Sequence, residues 1–416
     1  MNKIIIEGGN RLNGEVSISG AKNSALAILP AAILAKGITI FNNIPDISDV
    51  KYVLTMLEYL GAKISRDENN SILIDTTDIR PHQLDLPIVS KMRASYYFLG
   101  ALLARFGEAI IPYPGGCEIG ARPIDLHIKG FEALGATFEL KHGIIKVKAE
   151  KLTGSRIYFD LISVGATINV MIAASMADGK TVIENAAKEP YIVDAANFLN
   201  AMGAKIVGAG TDTIRIEGVK SLSPCEHTII PDQMEAGTYM IATAATGGDV
   251  TIKNIIPSHL EAVSAKLHEI GVTIEEGEDS LRVICDKRTI ATNIKTMPYP
   301  GFPTDMQQPM SVLLSISKGT SLVTENIFES RFKYLNELQR MGAIINIEGQ
   351  VAVIEGVDEL SGAPVFVHDL RAGAALVVAG LVADGETTIE NIGYIERGYE
   401  KLEEKLSRLG AKIRRG

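Results

Sequence analysis

A chain of 416 residues with 46% hydrophobic and 22% charged residues has the make-up of a soluble globular protein of two or three domains. Its formal net charge of −9 argues against a general nucleic-acid or anionic-membrane surface, so any anion site must be a local basic cluster. Cys117, Cys225 and Cys285 are widely spaced and odd in number, which speaks against a disulfide framework and for a reducing compartment. With no CxxC pair or HExxH motif, the sequence offers no metal site.

Residues 1–12 read as a strand ending in a Gly-Gly-Asn turn, not as a signal peptide. The longest apolar stretches, such as residues 372–383, are too short and glycine-interrupted to span a bilayer. The protein is therefore read as cytoplasmic, with no membrane partner.

Along the chain one unit recurs. A Gly-Ala doublet (once Gly-Val) stands at Gly61, Gly135, Gly203, Gly271, Gly342 and Gly410, at intervals of 74, 68, 68, 71 and 68 residues. Each follows an amphipathic helical pattern, as in Val50, Val53, Leu54, Leu57 and Leu60. The glycine lies just past the helix end, where a left-handed residue terminates it. A second helix type, rich in Ala, Gly and Leu, recurs near residues 24–35, 94–105, 166–177, 237–245, 306–317 and 373–383. These are apolar nearly all round and predict burial. A glycine and a strand follow each of them. Six such units suggest two domains of three, helices inside and sheets outside.

The starts of the six buried helices are polar or charged: Lys22-Asn23-Ser24, Arg93-Ala94-Ser95, Ser163-Val164-Gly165, residues 232–235, Asp305-Met306-Gln307 and Asp369-Leu370-Arg371. Helix N-termini carry exposed N–H donors and partial positive charge, so convergent ends would make an anion-binding chamber. Ser and Asp also suit ordinary capping. Lys22, Arg93 and Arg371 do not, because a cation at a helix N-terminus is unfavourable unless an anion offsets it.

Within the second unit, between its buried helix and its doublet at Gly135, lies Pro114-Gly115-Gly116-Cys117-Glu118-Ile119-Gly120-Ala121-Arg122-Pro123. Glycines permit close backbone approach to a ligand, and a thiol beside a fixed positive charge ionises more readily. The segment reads as a loop delivering a titratable sulfur to an anionic substrate. The competing reading is a surface turn with an incidental thiol.

These motifs, with Gly20-Ala21-Lys22-Asn23, Met92-Arg93-Ala94-Ser95, Phe302-Pro303-Thr304-Asp305-Met306-Gln307, Arg331-Phe332 and Arg397-Gly398-Tyr399, closely resemble the UDP-N-acetylglucosamine 1-carboxyvinyltransferase family over nearly the whole chain. The resemblance implies an α/β fold: a two-lobed inside-out α/β barrel of six repeated units, three per lobe. It implies one lobe of residues 22–229 and another of residues 1–21 with 230–416, with the active site in the cleft between them and a hinge at the two crossings. The implied reaction transfers the enolpyruvyl group of phosphoenolpyruvate to the 3′-hydroxyl of UDP-N-acetylglucosamine by addition and elimination, releasing phosphate, at the start of peptidoglycan synthesis. No cofactor, metal or nucleic acid is implied.

Carried over by position, Cys117 matches the family's proton donor, which the epoxide antibiotic fosfomycin alkylates. Asp305 matches the residue at the sugar hydroxyl and is the candidate general base; on local grounds alone it is equally an N-cap of a helix starting at Met306. Lys22, Arg122 and Arg397 match the phosphoenolpyruvate-binding cations, with Asn23, Arg331 and Arg371 as helpers. Lys22 and Arg397 also count as catalytic. Asn23, Arg93, Arg122, Pro123, Ile124, Asp125, Leu126, His127, Ser163, Val164, Gly165, Asp305 and Ile327 match the UDP-sugar contacts. Asp125 and His127 could be salt-bridge partners instead. Leu161 replaces a lysine of some relatives near the diphosphate, and Glu118 adds negative charge beside the cysteine.

Three competitors differ in class or acceptor. A 5-enolpyruvylshikimate-3-phosphate synthase lacks the Gly-Gly-Cys loop and starts its first helix Asp-Lys-Ser, where this chain has Ala-Lys-Asn. A non-catalytic UDP-sugar sensor would not need Lys22, Cys117, Asp305 and Arg397 together. A nucleic-acid end-processing enzyme conflicts with the net charge of −9.

Overall fold

The computed structural model describes residues 3–80, 83–115 and 123–416. They form two compact units, residues 20–115 with 123–230, and residues 3–19 with 231–416. The first unit contains helices α1 (Lys22–Ala31), α2 (Ser48–Tyr59), α3 (Tyr97–Phe106), α4 (Asp125–Ala133), α5 (Val164–Ala174) and α6 (Pro190–Ala201). The second contains α7 (Gln233–Ala245), α8 (Glu261–Glu269), α9 (Thr304–Ile316), α10 (Leu335–Arg340), α11 (Leu370–Val382) and α12 (Leu402–Arg408).

Helices α1, α3 and α5 pack together in the first unit, and α7, α9 and α11 in the second. In α1, α5 and α11 all but one residue is buried, as a sequence of small and aliphatic side chains without a polar face requires. The α3–α5 contact is close. A Cβ on Gly100 would lie 2.5 Å from the backbone oxygen of Asn169, so only glycine fits there.

The sheets lie against these helices through alternate residues. In the first unit, Ile38–Asn42 pairs antiparallel with Ile72–Asp75 and parallel with Glu226–Thr228, while Lys63–Arg66 forms the far edge. Lys180–Glu184, Thr213–Glu217, Arg156–Tyr158 and Lys205–Val207 repeat that order, and Glu108–Pro112, Ile144–Lys148 and Thr137–Lys141 form a three-stranded version. The second unit has sheets centred on Asp249–Lys253, Thr320–Thr324 and Glu386–Glu390. The last of these is completed by the N-terminal strand Lys3–Glu7, paired antiparallel on both sides.

The sheets depart from the barrel that the resemblance implies. None of the six described sheets closes into a barrel; each is open, with three or four strands. So few strands cannot wrap round on themselves. The edge strands Lys63–Arg66 and Lys412–Arg415 carry exposed Lys and Arg, which discourages pairing with another chain.

The six doublet glycines all have positive φ, from +94° to +105°. After each, the following N–H bonds the carbonyl five residues back: Ala62 to Leu57, Ala136 to Phe131, Ala204 to Leu199, Val272 to Leu267, Ala343 to Leu338 and Ala411 to Leu406. This is the six-to-one bond of a Schellman stop, and its acceptor residues are buried. No described helix is long and apolar enough to cross a membrane.

Candidate active site

Polar side chains gather at the starts of the buried helices in each unit. In the second unit Asp305 lies in the first turn of α9, which begins at Thr304 after Pro303. It makes no cap. Arg331 Nη2 donates to its Oδ1 at 2.6 Å and Arg371 Nε to its Oδ2 at 3.0 Å. Both arginine side chains are 3% exposed and the aspartate side chain 26%. Burial pushes the Asp305 carboxyl up, but Arg331 and then Arg371 outweigh it and hold the group well below the usual carboxylate range. Among the described residues, Arg331 Nε and Arg371 Nη1 have no hydrogen-bond partner. A buried guanidinium with a spare N–H suits a further anion.

Arg371 is placed by α11, whose N-cap Asp369 accepts the N–H groups of Arg371 and Ala372 at 2.9 and 3.0 Å. Gln308 Nε2 donates to the other Asp369 oxygen at 3.1 Å. The guanidinium lies 5.3 Å from the Tyr399 ring, and the Tyr399 hydroxyl is 2.9 Å from Thr238 Oγ1. Asp305 and, beyond it, Asp232 supply the carboxylate charge that acts on Arg371. Arg331 Nη1 donates to Thr304 Oγ1 at 2.7 Å. Arg397 ends the short helical turn Ile392–Arg397 and is half-buried.

In the first unit Lys22 opens α1, buried, with its Nζ 2.8 Å from Asp49 Oδ2. Asp49 is in the first turn of α2 and itself buried. The charge conflict anticipated for Lys22 is thus offset within the protein, and a substrate anion is not needed to explain it. Asn23, beside it, is half-buried. Ser24 Oγ donates to the buried Asp194, which also contacts His227 Nε2 at 2.9 Å.

The expected UDP-sugar contacts fall partly into one neighbourhood. Arg93 Nη2 donates to the carbonyl of Pro123 at 3.3 Å and its guanidinium lies 5.8 Å from the Tyr96 ring. A Cβ on Gly165 would lie 2.5 Å from the Tyr96 hydroxyl oxygen and 3.0 Å from the His127 ring. Ser163 caps α5, accepting from the Ala166 N–H at 3.3 Å, just before Val164. Pro123 and Asp125 are exposed, Leu126 is half-buried and Ile124 is buried.

His127 is buried under Tyr96, ring centroids 4.4 Å apart. Asn169 Oδ1 accepts the Gly100 N–H, so its Nδ2 faces His127 Nδ1 at 3.1 Å as a donor. The imidazole is therefore an acceptor at Nδ1, with its proton on Nε2. Burial first, and Arg93 second, push its pKa down to about 3. His127 is held as a neutral ring, which rules out its reading as a charged salt-bridge partner.

Cys117 and Arg122, with Glu118, lie outside the described residues. Ile327 is half-buried and its N–H donates to Glu325 at 2.8 Å. Leu161 is 72% exposed. Sequence reading missed Asp49, Thr304 and Glu325. Asp49 carried a usable signal, an acid in the first turn of a helix. Thr304 and Glu325 carried none, since their roles come from tertiary contact.

The sequence profile of the family described as EPSP synthase (3-phosphoshikimate 1-carboxyvinyltransferase) matches residues 6–406. The chain is 57% identical to "UDP-N-acetylglucosamine 1-carboxyvinyltransferase 3" of Caldanaerobacter subterraneus subsp. tengcongensis, covering 99% of each. It is 58% identical to "UDP-N-acetylglucosamine 1-carboxyvinyltransferase 2" of Clostridium acetobutylicum, over 100% of this chain and 99% of that one. The crystal structure of the enolpyruvyl transferase NikO from Streptomyces tendae superposes with a TM-score of 0.90 at 27% identity, covering 99% of this chain and 98% of that one. An EPSP synthase from Acinetobacter baumannii, at 17% identity and a TM-score of 0.76 with both chains fully covered, shares the fold.

Proposed function

Because the chain belongs to the enolpyruvyl transferase family, matched from residue 6 to residue 406, we propose that it transfers the enolpyruvyl group of phosphoenolpyruvate to the 3′-hydroxyl of UDP-N-acetylglucosamine. The acceptor follows from relatives of that name at 57% and 58% identity over essentially the full chain. The observation that carries the chemistry is the pair of buried arginines closed on Asp305, each with an unpartnered N–H.

The sugar hydroxyl oxygen bonds to C2 of phosphoenolpyruvate while C3 takes a proton. The tetrahedral ketal then loses phosphate from C2 and a proton from the methyl group, restoring the double bond. The products are the enolpyruvyl sugar nucleotide and inorganic phosphate. Asp305 takes the hydroxyl proton in this reading. With both carboxylate oxygens held by arginines it is a poor base. An incoming carboxylate or phosphate competes for Arg331 and Arg371, loosens their hold and raises the basicity of Asp305 as the substrate arrives. Cys117 donates the proton to C3. Lys22, Arg122 and Arg397 neutralise the substrate and the departing phosphate, and the Asn23 amide donates a hydrogen bond to them. Arg93, residues 123–127, residues 163–165 and Ile327 hold the sugar nucleotide. His127 acts there as a neutral support, packed beneath Tyr96 and beside Gly165.

The finer architecture that goes with this reading is two lobes, residues 22–229 and residues 1–21 with 230–416, each of three repeated units with helices inside and sheets outside. The six Schellman stops support the repeat. The enzyme works in the cytoplasm at the start of peptidoglycan synthesis. The test is phosphate release: it should require both substrates together, and release with phosphoenolpyruvate alone, or none at all, counts against the proposal.

A further inference from the structure

Glu325 follows the strand Thr320–Thr324 and is buried. Its carboxylate accepts four hydrogen bonds. Oε1 takes the Thr296 hydroxyl at 2.9 Å, the Ile327 N–H at 2.8 Å and the Phe328 N–H at 3.2 Å. Oε2 takes the Thr304 hydroxyl at 2.8 Å. Thr296 Oγ1 in turn accepts the Asn326 N–H at 2.9 Å, so the whole turn of residues 326–328 hangs on this one side chain and its partner.

The Thr304 bond gives the arrangement a direction. A hydroxyl has one proton. Spent on Glu325, it leaves only lone pairs for Arg331 Nη1, which donates to Thr304 Oγ1 at 2.7 Å. The same guanidinium grips Asp305 through Nη2 and stacks 5.3 Å from the ring of Phe328. Glu325 therefore fixes Arg331 from two sides, through the Thr304 hydroxyl and through the backbone of Phe328.

We infer that Glu325 is a positioning residue for the transfer reaction, locking the turn that carries Ile327 to the Arg331–Asp305 pair through Thr304. It touches no reacting atom. Its work is to keep the acceptor contact and the anion contact in one register, so that the sugar hydroxyl meets both Asp305 and the enol carbon. The inference rests on the function proposed above. Misplacement of such groups by about 1 Å costs on the order of 100-fold in rate.

The experiment compares the unaltered protein with Glu325→Gln, Thr304→Val and the double variant, measuring kcat and KM for each substrate together with the melting temperature. Glu325→Gln is close to isosteric. Its amide turns toward Thr304, because the other side faces two backbone N–H groups, and the Thr304 hydroxyl then loses its acceptor. Each single variant should lose about 10- to 100-fold in kcat/KM, mainly in kcat, with melting close to that of the unaltered protein. The double variant should fall no more than about 3-fold below the worse single one, since both break the same chain. Losses that multiply, or a Glu325→Gln variant within about 2-fold of the unaltered rate, overturn the inference. Should Glu325→Gln not fold, Thr304→Val decides: its bonds from Glu325 to the turn are intact, and a rate within about 2-fold overturns the inference. Absence of product from the unaltered protein defeats the proposed function and this inference with it, whereas product together with multiplying losses defeats this inference alone.

Discussion

Replacing Asp305 with Asn should weaken the protein and tighten its grip on anions at the same time. Both arginine side chains facing Asp305 are 3% exposed, at 2.6 and 3.0 Å. Removing one partner of a fully buried ion pair costs about 3–5 kcal/mol, because the remaining charge is left uncompensated. The Asp305 side chain is 26% exposed, and water reaching that rim reduces the loss to about 2–3 kcal/mol. For a unit of this size that is a fall of about 5–10 °C in melting temperature. The two guanidiniums then have no carboxylate competing with a ligand. Inorganic phosphate should bind at least about 5-fold more tightly than to the unaltered protein, a gain of about 1 kcal/mol. Thermal melts over a phosphate titration read both effects: a lower starting temperature and a steeper rise with phosphate. A variant as stable as the unaltered protein, with the same phosphate response, would refute the clamp.

Cys117→Ser should lower turnover at pH 7 by at least about 100-fold while melting is unchanged, and near-normal phosphate release would remove the thiol from the mechanism. His127, neutral with its pKa pushed down to about 3, makes stability depend on pH. The unfolded chain takes up the proton near pH 6.5 and the folded one does not, so stability falls as pH drops from about 6.5 toward 3, by up to about 1.4 kcal/mol per unit. Denaturant titrations of His127→Gln should lose that slope; an unchanged slope contradicts the assignment. Gly342→Ala should cost about 1–2 kcal/mol through its φ of +97° alone, since nothing lies within 4 Å of the added carbon. Gly100→Ala should cost at least as much by a different route, collision with the Asn169 backbone. Melts in which either alanine variant matches the parent would count against those contacts.

What could be read from the sequence was local. Each Gly-Ala doublet marks a left-handed stop whose chemistry involves only the preceding turn, and all six glycines adopt it. Ser163, Asp232 and Asp369 cap their helices through N–H groups two or three residues on. The buried helices announce themselves by having no polar face. What resisted reading was long-range. Arg331 and Arg371 reach Asp305 from 26 and 66 residues away, and no periodicity reports such a meeting. Lys22 suggested a missing anion at a helix start, but Asp49 supplies it from the next helix. Closure of the sheets also failed as an expectation, because strand count and edge character depend on which distant strands join, as Glu226–Thr228 does beside Ile38–Asn42.

The most direct test of the account is mass spectrometry of the products after incubation with phosphoenolpyruvate and either UDP-N-acetylglucosamine or shikimate 3-phosphate. The expected products are an enolpyruvyl adduct of the UDP-sugar, with one phosphate released per adduct, and none of the shikimate derivative. An adduct on shikimate 3-phosphate alone, or on neither acceptor, would contradict it.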